Sequence, residues 1–399
     1  MAKENMSKLE RLIQQYCPDG VEYVKLDSVA NICRGTRVVK SQLSDKGYPV
    51  YQNCLTPMGY FERSNCNAGI TFVICGGAAG NVGYTDVECW AADDCEFIIG
   101  GHQVINRYIY YYLMTKQNYL LSKVRKASIP RLSPSIIKDL EIPLPPLPVQ
   151  EEIVRILDAF TELQAELQAE LQKRKQQYNY YLDNLLNFKN INRRGGYQAE
   201  VRWMKMSEVF EIRNGYTPSK AKKEFWEGGT IPWFRMEDIR QNGRILSDSI
   251  LHITPKGVKG KGLFKANSFI LATTATIGEH ALIIVNSLAN QQFTNLSICK
   301  SLENELSVKY VYYYFFVIDE WCKANTNVSN FASVDMSKFY NLLIPIPSIA
   351  EQQRIVAILD RFDTLTTDLT QGLPAEIEKR RQQYEYYRDK LLTFKRKGA

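Results

Sequence analysis

Residues 142–160 read IPLPPLPVQEEIVRILDAF, and residues 344–362 read IPIPSIAEQQRIVAILDRF, identical at ten of nineteen positions at a constant offset of 202. Further along, KRKQQYNYYLDNLLNF (173–188) matches KRRQQYEYYRDKLLTF (379–394) at eleven of sixteen positions, now at offset 206. VEYVKLDSVANICRGT (21–36) aligns with VRWMKMSEVFEIRNGY (201–216) at offset 180, with five identities. Three collinear matches make the chain an internal repeat. The changing offset locates the differences. The second copy gains 22 residues between its opening and KYVYYYF (309–315, the counterpart of RYIYYYL at 107–113), and four more near 371–374. One framework carries two different inserts.

The repeated ends read as long helices. Ile153, Ile156, Phe160, Leu163 and Leu167 step by three and four, as do Tyr178, Tyr181 and Leu185, and AELQAELQKRKQQ between them is made of strong helix formers. A continuous helix from Val149 to Lys189 would span ~60 Å. The second copy repeats the pattern through Ile355, Ile358, Phe362, Leu365 and Leu369, then Ile377, Tyr384, Tyr387 and Leu391. Its Gly372 and Pro374 predict a C-cap followed by a new helix start, hence a kink or short break. Pro143, Pro145, Pro146 and Pro148, with Pro345 and Pro347, set a hinge before each helix. Thin apolar stripes have to be buried against one another, and a chain that returns through a globular unit packs them antiparallel. In the middles, GITFVIC (69–75), CEFIIG (95–100), NSFILAT (267–273) and ALIIVN (281–286) read as strands, whereas 107–124 and 309–324 read as helices.

The composition sets the class. At ~100–200 residues per domain, 399 residues imply two to four domains, and 45% hydrophobic with 23% charged residues is an ordinary globular balance. Nothing in the sequence approaches ~18 consecutive apolar residues, and the first 20 residues lack the apolar core of a secretory signal, so a cytoplasmic protein is expected. Nine cysteines without a CxxC pair, seven of them between Cys17 and Cys95, suit buried free thiols better than a disulfide framework or zinc site.

Catalytic signatures are missing. GGAAGNVG (76–83) follows a strand without fitting a phosphate-binding P-loop, and TTATIG (273–278) holds the same place in the second copy, so both read as turns. His102, His252 and His280 are far apart, and no metalloprotease, methyltransferase or ATP-binding motif is present. The chain reads as non-catalytic.

The middles carry basic residues interleaved with amides and aromatics. Net charge is +7, and residues 213–265 hold eleven basic against five acidic side chains. In the first copy the candidates for DNA binding are Arg34, Arg37, Lys40, Gln52, Asn53, Arg63 and Asn65. In the second they are Tyr216, Lys220, Lys222, Lys223, Trp233, Arg235, Asn242, Arg244, Lys259 and Lys261. Lysine and arginine neutralise phosphates, while arginine, asparagine and glutamine pair with base edges in the major groove.

These motifs, with CPDGVEYVKLDSV (17–29) and GLPAEIEKRRQQYEYYRDKLLTF (372–394), resemble the specificity subunits of type I restriction–modification systems over essentially the whole chain. The resemblance implies an α+β fold, with two mixed, β-rich target recognition domains separated by two long antiparallel, coiled-coil-like helices in a pseudo-twofold repeat. It implies an N-terminal helical segment at 1–20, recognition domains at 21–142 and 201–344, spacer helices at 143–190 and 345–399, and a linker at 191–200. Each domain would read one half of an asymmetric bipartite site in double-stranded DNA, and the helices would set the spacer. Partners would be methyltransferase subunits, expected to be two, and restriction or translocase subunits. S-adenosylmethionine, ATP and magnesium would belong to those partners, which methylate adenine N6 or cleave unmethylated DNA. Domains about one helical turn apart (~34 Å) would face both half-sites from one side. The alternatives are a methylation-only or other defence complex, and a coiled-coil scaffold whose domains bind protein.

Overall fold

The computed structural model describes residues 6–188, 201–327, 332–368 and 370–398. The expected linker at 191–200 lies outside them. The chain divides into two compact units, Met1–Ala169 with Ala375–Ala399, and Glu170–Pro374.

Unit 1 begins with α1 (Lys8–Tyr16), capped by Ser7, then β1 (Tyr23–Lys25), α2 (Leu26–Val29) and β2 (Ala30–Arg34). The strands β3 (Tyr48–Tyr51), β4 (Tyr60–Phe61), β5 (Ile70–Ile74), β6 (Val82–Thr85), β7 (Trp90–Ala91) and β8 (Cys95–Gly100) follow. Next come α3 (Asn106–Thr115), α4 (Gln117–Ser122), α5 (Pro134–Lys138), β9 (Glu141–Pro143) and the start of α6 (Leu147–Leu186). One sheet runs β2-β8-β5-β6 and a smaller one β4-β3-β7. Every residue of β5 is buried, as its apolar run, interrupted only by Thr71, requires of an interior strand covered on both faces. β1 pairs with β9, so the two ends of the segment 21–142 close on each other.

Unit 2 repeats this order. It contains β10 (Arg202–Lys205), α7 (Met206–Val209), β11 (Phe210–Asn214), β12 (Ile231–Phe234), α8 (Met236–Asn242), β13 (Ile245–Leu246) and β14 (His252–Ile253). It continues through β15 (Ser268–Ala272), β16 (His280–Ile283), β17 (Leu288–Ala289), β18 (Phe293–Ile298), α9 (Val308–Ala324), β19 (Thr326–Asn327) and β20 (Ser333–Val334). α10 (Met336–Asn341), β21 (Leu343–Ile346), α11 (Ile349–Thr367) and, back in unit 1, α12 (Leu373–Leu391) complete the chain. The sheets are β11-β18-β15-β16-β13 and β14-β12-β17: the orders of unit 1 with β13 added at one edge.

Aligning strand with strand places the 22 extra residues. Unit 2 gains three before β12, nine between β12 and β14, six before β15 and four before α9. The nine build α8 and β13. From β15 to β18 the two units keep an unchanged offset, so the central strands are the shared frame.

The repeated proline-rich motif also gains a physical role. Gln150 is fully buried; its Nε2 donates to the carbonyls of Pro145 (2.7 Å) and Gln103 (2.9 Å), and its Oε1 accepts the Ile105 N–H at 3.0 Å. Gln352 does the same with Pro347 (2.8 Å), Glu305 (2.8 Å) and Ser307 (2.8 Å). Backbone groups freed by the prolines would otherwise be buried without partners. Tyr108 and Tyr310 add matching bonds to the carbonyls of Pro143 and Pro345, both 3.0 Å. Tyr111 donates to Asp158 as Tyr313 does to Asp360, locking α3 and α9 onto the helices that follow.

In unit 1 the Phe160 ring packs on Tyr384 and Tyr387, at 6.5 and 5.6 Å, while Val149 and Ile153 share the core with Leu391 and Leu392. In unit 2 Phe362 packs on Tyr178 and Tyr181, at 6.4 and 5.1 Å, and Ile355 shares the core with Leu186. Contacts that progress in opposite directions along the two helices make each pair antiparallel, as expected. Three details differ from the expectations. α6 ends at Leu186. Residues 107–124 form two helices, because Lys116 leaves helical geometry (φ −97°, ψ 5°) at their junction. α11 ends at Thr367 with Asp368 as its cap, so Gly372 is not the cap; instead a Cβ there would lie 2.5 Å from the Thr364 carbonyl, a space only glycine fits.

Candidate nucleic-acid interface

The basic residues of unit 2 gather on two loops that the fold staples together. On the first, Lys220, Lys222 and Lys223 are exposed, Lys222 lying over the Phe225 ring at 5.2 Å and Lys223 facing Glu227 at 3.7 Å. On the second, Lys259 and Lys261 are exposed. The Thr254 N–H donates to the Phe225 carbonyl at 2.9 Å and its hydroxyl to the Glu224 carbonyl at 2.7 Å, joining the loops. Lys256, which pairs with Glu224 at 3.0 Å, adds an ionic clasp between exposed partners.

Tyr216 and Trp233 support this ridge from below. Trp233 is 2% exposed and donates its indole N–H to the Tyr216 carbonyl at 3.0 Å. The Tyr216 hydroxyl accepts the Lys259 N–H at 2.6 Å and donates to the Gly257 carbonyl at 3.3 Å. Trp233 is buried and Tyr216 half-buried, and the hydrogen bonds of both brace the loops. Arg244 is a strut as well: it bonds Asp319 at 3.0 Å and lies over the Phe316 ring at 5.0 Å. Arg235 is half-buried with Glu237 3.8 Å away, and Asn242 is exposed at the end of α8.

In unit 1, Arg37, Lys40, Asn53 and Arg63 are exposed. Arg63 sits over the Phe61 ring at 6.0 Å and beside Glu62 at 3.3 Å. Arg34 donates to the Asp93 carbonyl at 2.8 Å. The Asn65 side chain clamps Ala91 in both directions, at 2.8 and 3.0 Å, and half-buried Gln52 accepts the Cys95 thiol at its carbonyl at 3.1 Å. Of the candidates, the exposed lysines and arginines, with Asn53 and Asn242, stand free to meet a ligand; Tyr216, Trp233, Asn65 and Arg244 hold loops in place.

The residues that sequence reasoning passed over are the buried Gln150 and Gln352. Their signal was present, an identical glutamine five residues after an identical proline in both copies. All nine cysteines are free, and burial pushes the Cys75 thiol up to about 12. Among the described residues no cluster of histidine, cysteine and carboxylates could hold a metal ion, and no helix is long and apolar enough to cross a membrane.

The sequence profile described as "Type I restriction modification DNA specificity domain" matches residues 18–176 and again 199–379. The chain is 54% identical over 204 residues to the EcoprrI type I restriction enzyme specificity subunit of Escherichia coli, a match covering 49% of this chain and 51% of that protein. It is 41% identical over 309 residues to the EcoR124I/EcoR124II specificity subunit of the same organism, covering 73% and 72% of the two chains. Among solved structures, the S subunit of a type I restriction–modification system from M. genitalium has a similar fold. Its TM-score is 0.58 at 16% identity, over 94% of this chain and 96% of that one.

Proposed function

This chain belongs to the family of type I restriction–modification DNA specificity proteins, and we propose on that premise that its two recognition domains read the two unlike halves of an asymmetric bipartite site. Its role is recognition of DNA, without catalysis. The observation that supports two different half-sites is the pairing of one strand frame with unequal loops, above all the nine residues that build α8 and β13 in unit 2 alone. Specificity on a rigid scaffold resides in its loops. The exposed lysines and arginines on those loops supply phosphate contacts, which position the protein and make its affinity salt-dependent.

In this proposal the partners are modification subunits, two per complex, which flip an adenine in each half-site and methylate its N6 with S-adenosylmethionine. Restriction subunits using ATP and magnesium complete the assembly in the cytoplasm. The long helices act as the ruler for the unread spacer.

Methylome sequencing of cells that express the chain with its modification subunits tests the reading. A new bipartite motif carrying N6-methyladenine in both halves is expected; a folded, associated complex that leaves no motif would sink it. Deleting one helical turn between 161 and 172 is expected to change spacer length while both half-site sequences persist. An unchanged motif would remove the ruler.

A further inference from the structure

Residues 116–131 of unit 1, KQNYLLSKVRKASIPR, hold five basic side chains and no aspartate or glutamate. The segment leaves α4 and closes into a hairpin. The Arg125 N–H donates to the Arg131 carbonyl at 2.8 Å, and the Arg131 N–H to the Arg125 carbonyl at 3.2 Å. Its return limb is sewn to the frame: the Leu132 N–H donates to the Cys75 carbonyl (2.9 Å), the Gly77 N–H to the Pro130 carbonyl (3.1 Å), and Arg131 pairs with Asp94 at 2.9 Å.

Gly77, at φ +83° in the glycine-rich turn between β5 and β6, lies so close to Asn53 that a Cβ would come within 2.8 Å of the Asn53 Cβ. The next residue, Ala78, donates its N–H to the Asn53 carbonyl at 2.8 Å. Hairpin, turn and the loop following β3 therefore form one continuous surface. Asn53 on the loop after β3 is exposed, as are Leu55 (45%) and, on the hairpin, Ile129 (53%).

Arg125 and Lys126 are exposed and, among the described residues, enter no ion pair. The return limb holds the hairpin in one conformation at a cost in conformational entropy, while the Arg125 and Lys126 side chains stay exposed. The corresponding stretch of unit 2 carries Asp319 and Glu320 against the single basic residue Lys323, so the frame does not demand this charge. We propose that the Arg125–Arg131 hairpin is a phosphate clamp on the DNA flanking the first half-site. In it Arg125 and Lys126 each neutralise one phosphate, beside the loop that carries Asn53 and Leu55. The proposal rests on the chain's role in DNA recognition and adds the element that grips the duplex on one side only.

The test uses the full chain in complex with its modification subunits, on a duplex bearing its methylated motif and on an unrelated duplex of equal length. For Arg125→Ala with Lys126→Ala, affinity is expected to fall about ten-fold on both duplexes. The slope of log affinity against log salt should shrink by about two, with the methylated motif unchanged. A slope equal to the parent's, or a changed motif at constant slope, overturns the clamp. If the double variant does not fold, Lys126→Glu alone is measured and has to lower the slope. A parent complex that does not prefer its motif over the unrelated duplex defeats the recognition reading instead, which separates the two failures.

Discussion

At the start of α4, unit 1 uses a neutral amide where unit 2, at the matching point within α9, uses charge. Gln117 donates to the Gly80 carbonyl at 2.6 Å and accepts the Val82 N–H at 3.2 Å, tying α4 to the turn and strand beneath it. The positions matching Gln117 and Val82 in unit 2 hold Asp319 and His280. The His280 ring is fully buried; its Nδ1–H donates to Asp319 at 2.7 Å, the arrangement a carboxylate acceptor dictates. Arg244, from the insert that unit 1 lacks, joins the same carboxylate at 3.0 Å. The ring is walled by Tyr312, Phe315 and Phe316, at 5.4, 5.4 and 4.7 Å, and Nε2 has no hydrogen-bond partner. The two solutions differ in what else they hold. The amide secures only the frame, whereas the ionic triad also anchors β13 and so positions an insert.

The largest break in this comparison is Asp319→Ala. Removing the carboxylate strands a buried imidazole and a half-buried guanidinium, at a cost of about 3–5 kcal/mol. Hydrogen exchange is expected to quicken in β15 and β16 while β5 and β6 keep their protection. Equal loosening of both units would mean the triad holds more than its own domain.

The shared glutamines sharpen the contrast by predicting symmetry. Gln150→Leu and Gln352→Leu each leave one buried proline carbonyl, and a half-buried carbonyl and N–H, without partners, worth about 2 kcal/mol after relaxation. Each is expected to destabilise its own unit, and by equal amounts; a cost confined to one unit would refute a common frame.

The smallest effect is in pH. Burial, with Arg244 adding to it and Asp319 opposing, holds the His280 imidazole below its ordinary value. An unfolded chain then binds the proton first. The contribution of His280 to the stability of unit 2 is fully present above about pH 6.5 and is lost as the pH falls from there through the depressed folded-state value. Asp319, Arg244 and Tyr312 are the titratable groups facing the ring. Replacing the triad with the solution of unit 1, through His280→Val, Asp319→Gln and Arg244→Leu, is expected to abolish this acid sensitivity in hydrogen exchange. Its persistence would assign the titration to another group.

Much of the architecture was legible without coordinates. Identity between copies needs no folding to be seen, and the helices and central strands announce themselves by short-range periodicity, as the fully buried β5 and the forty-residue α6 show. The break near Gly372 was visible for the same local reason, although Asp368 is the residue that closes α11 and Gly372 serves where the Thr364 carbonyl approaches.

What only the tertiary structure decided is which polar residues face outward. Trp233, Tyr216 and Arg244 have the composition of a DNA-reading surface, yet their hydrogen bonds reach partners 17, 43 and 75 residues away and brace the domain. Gln150 likewise finds its work 47 residues back, at the Gln103 carbonyl. Local sequence reports the preferences of a segment. Exposure and hydrogen-bond satisfaction are properties of contacts made across the chain, so the framework could be read from residue order while the division between support and surface waited on the fold.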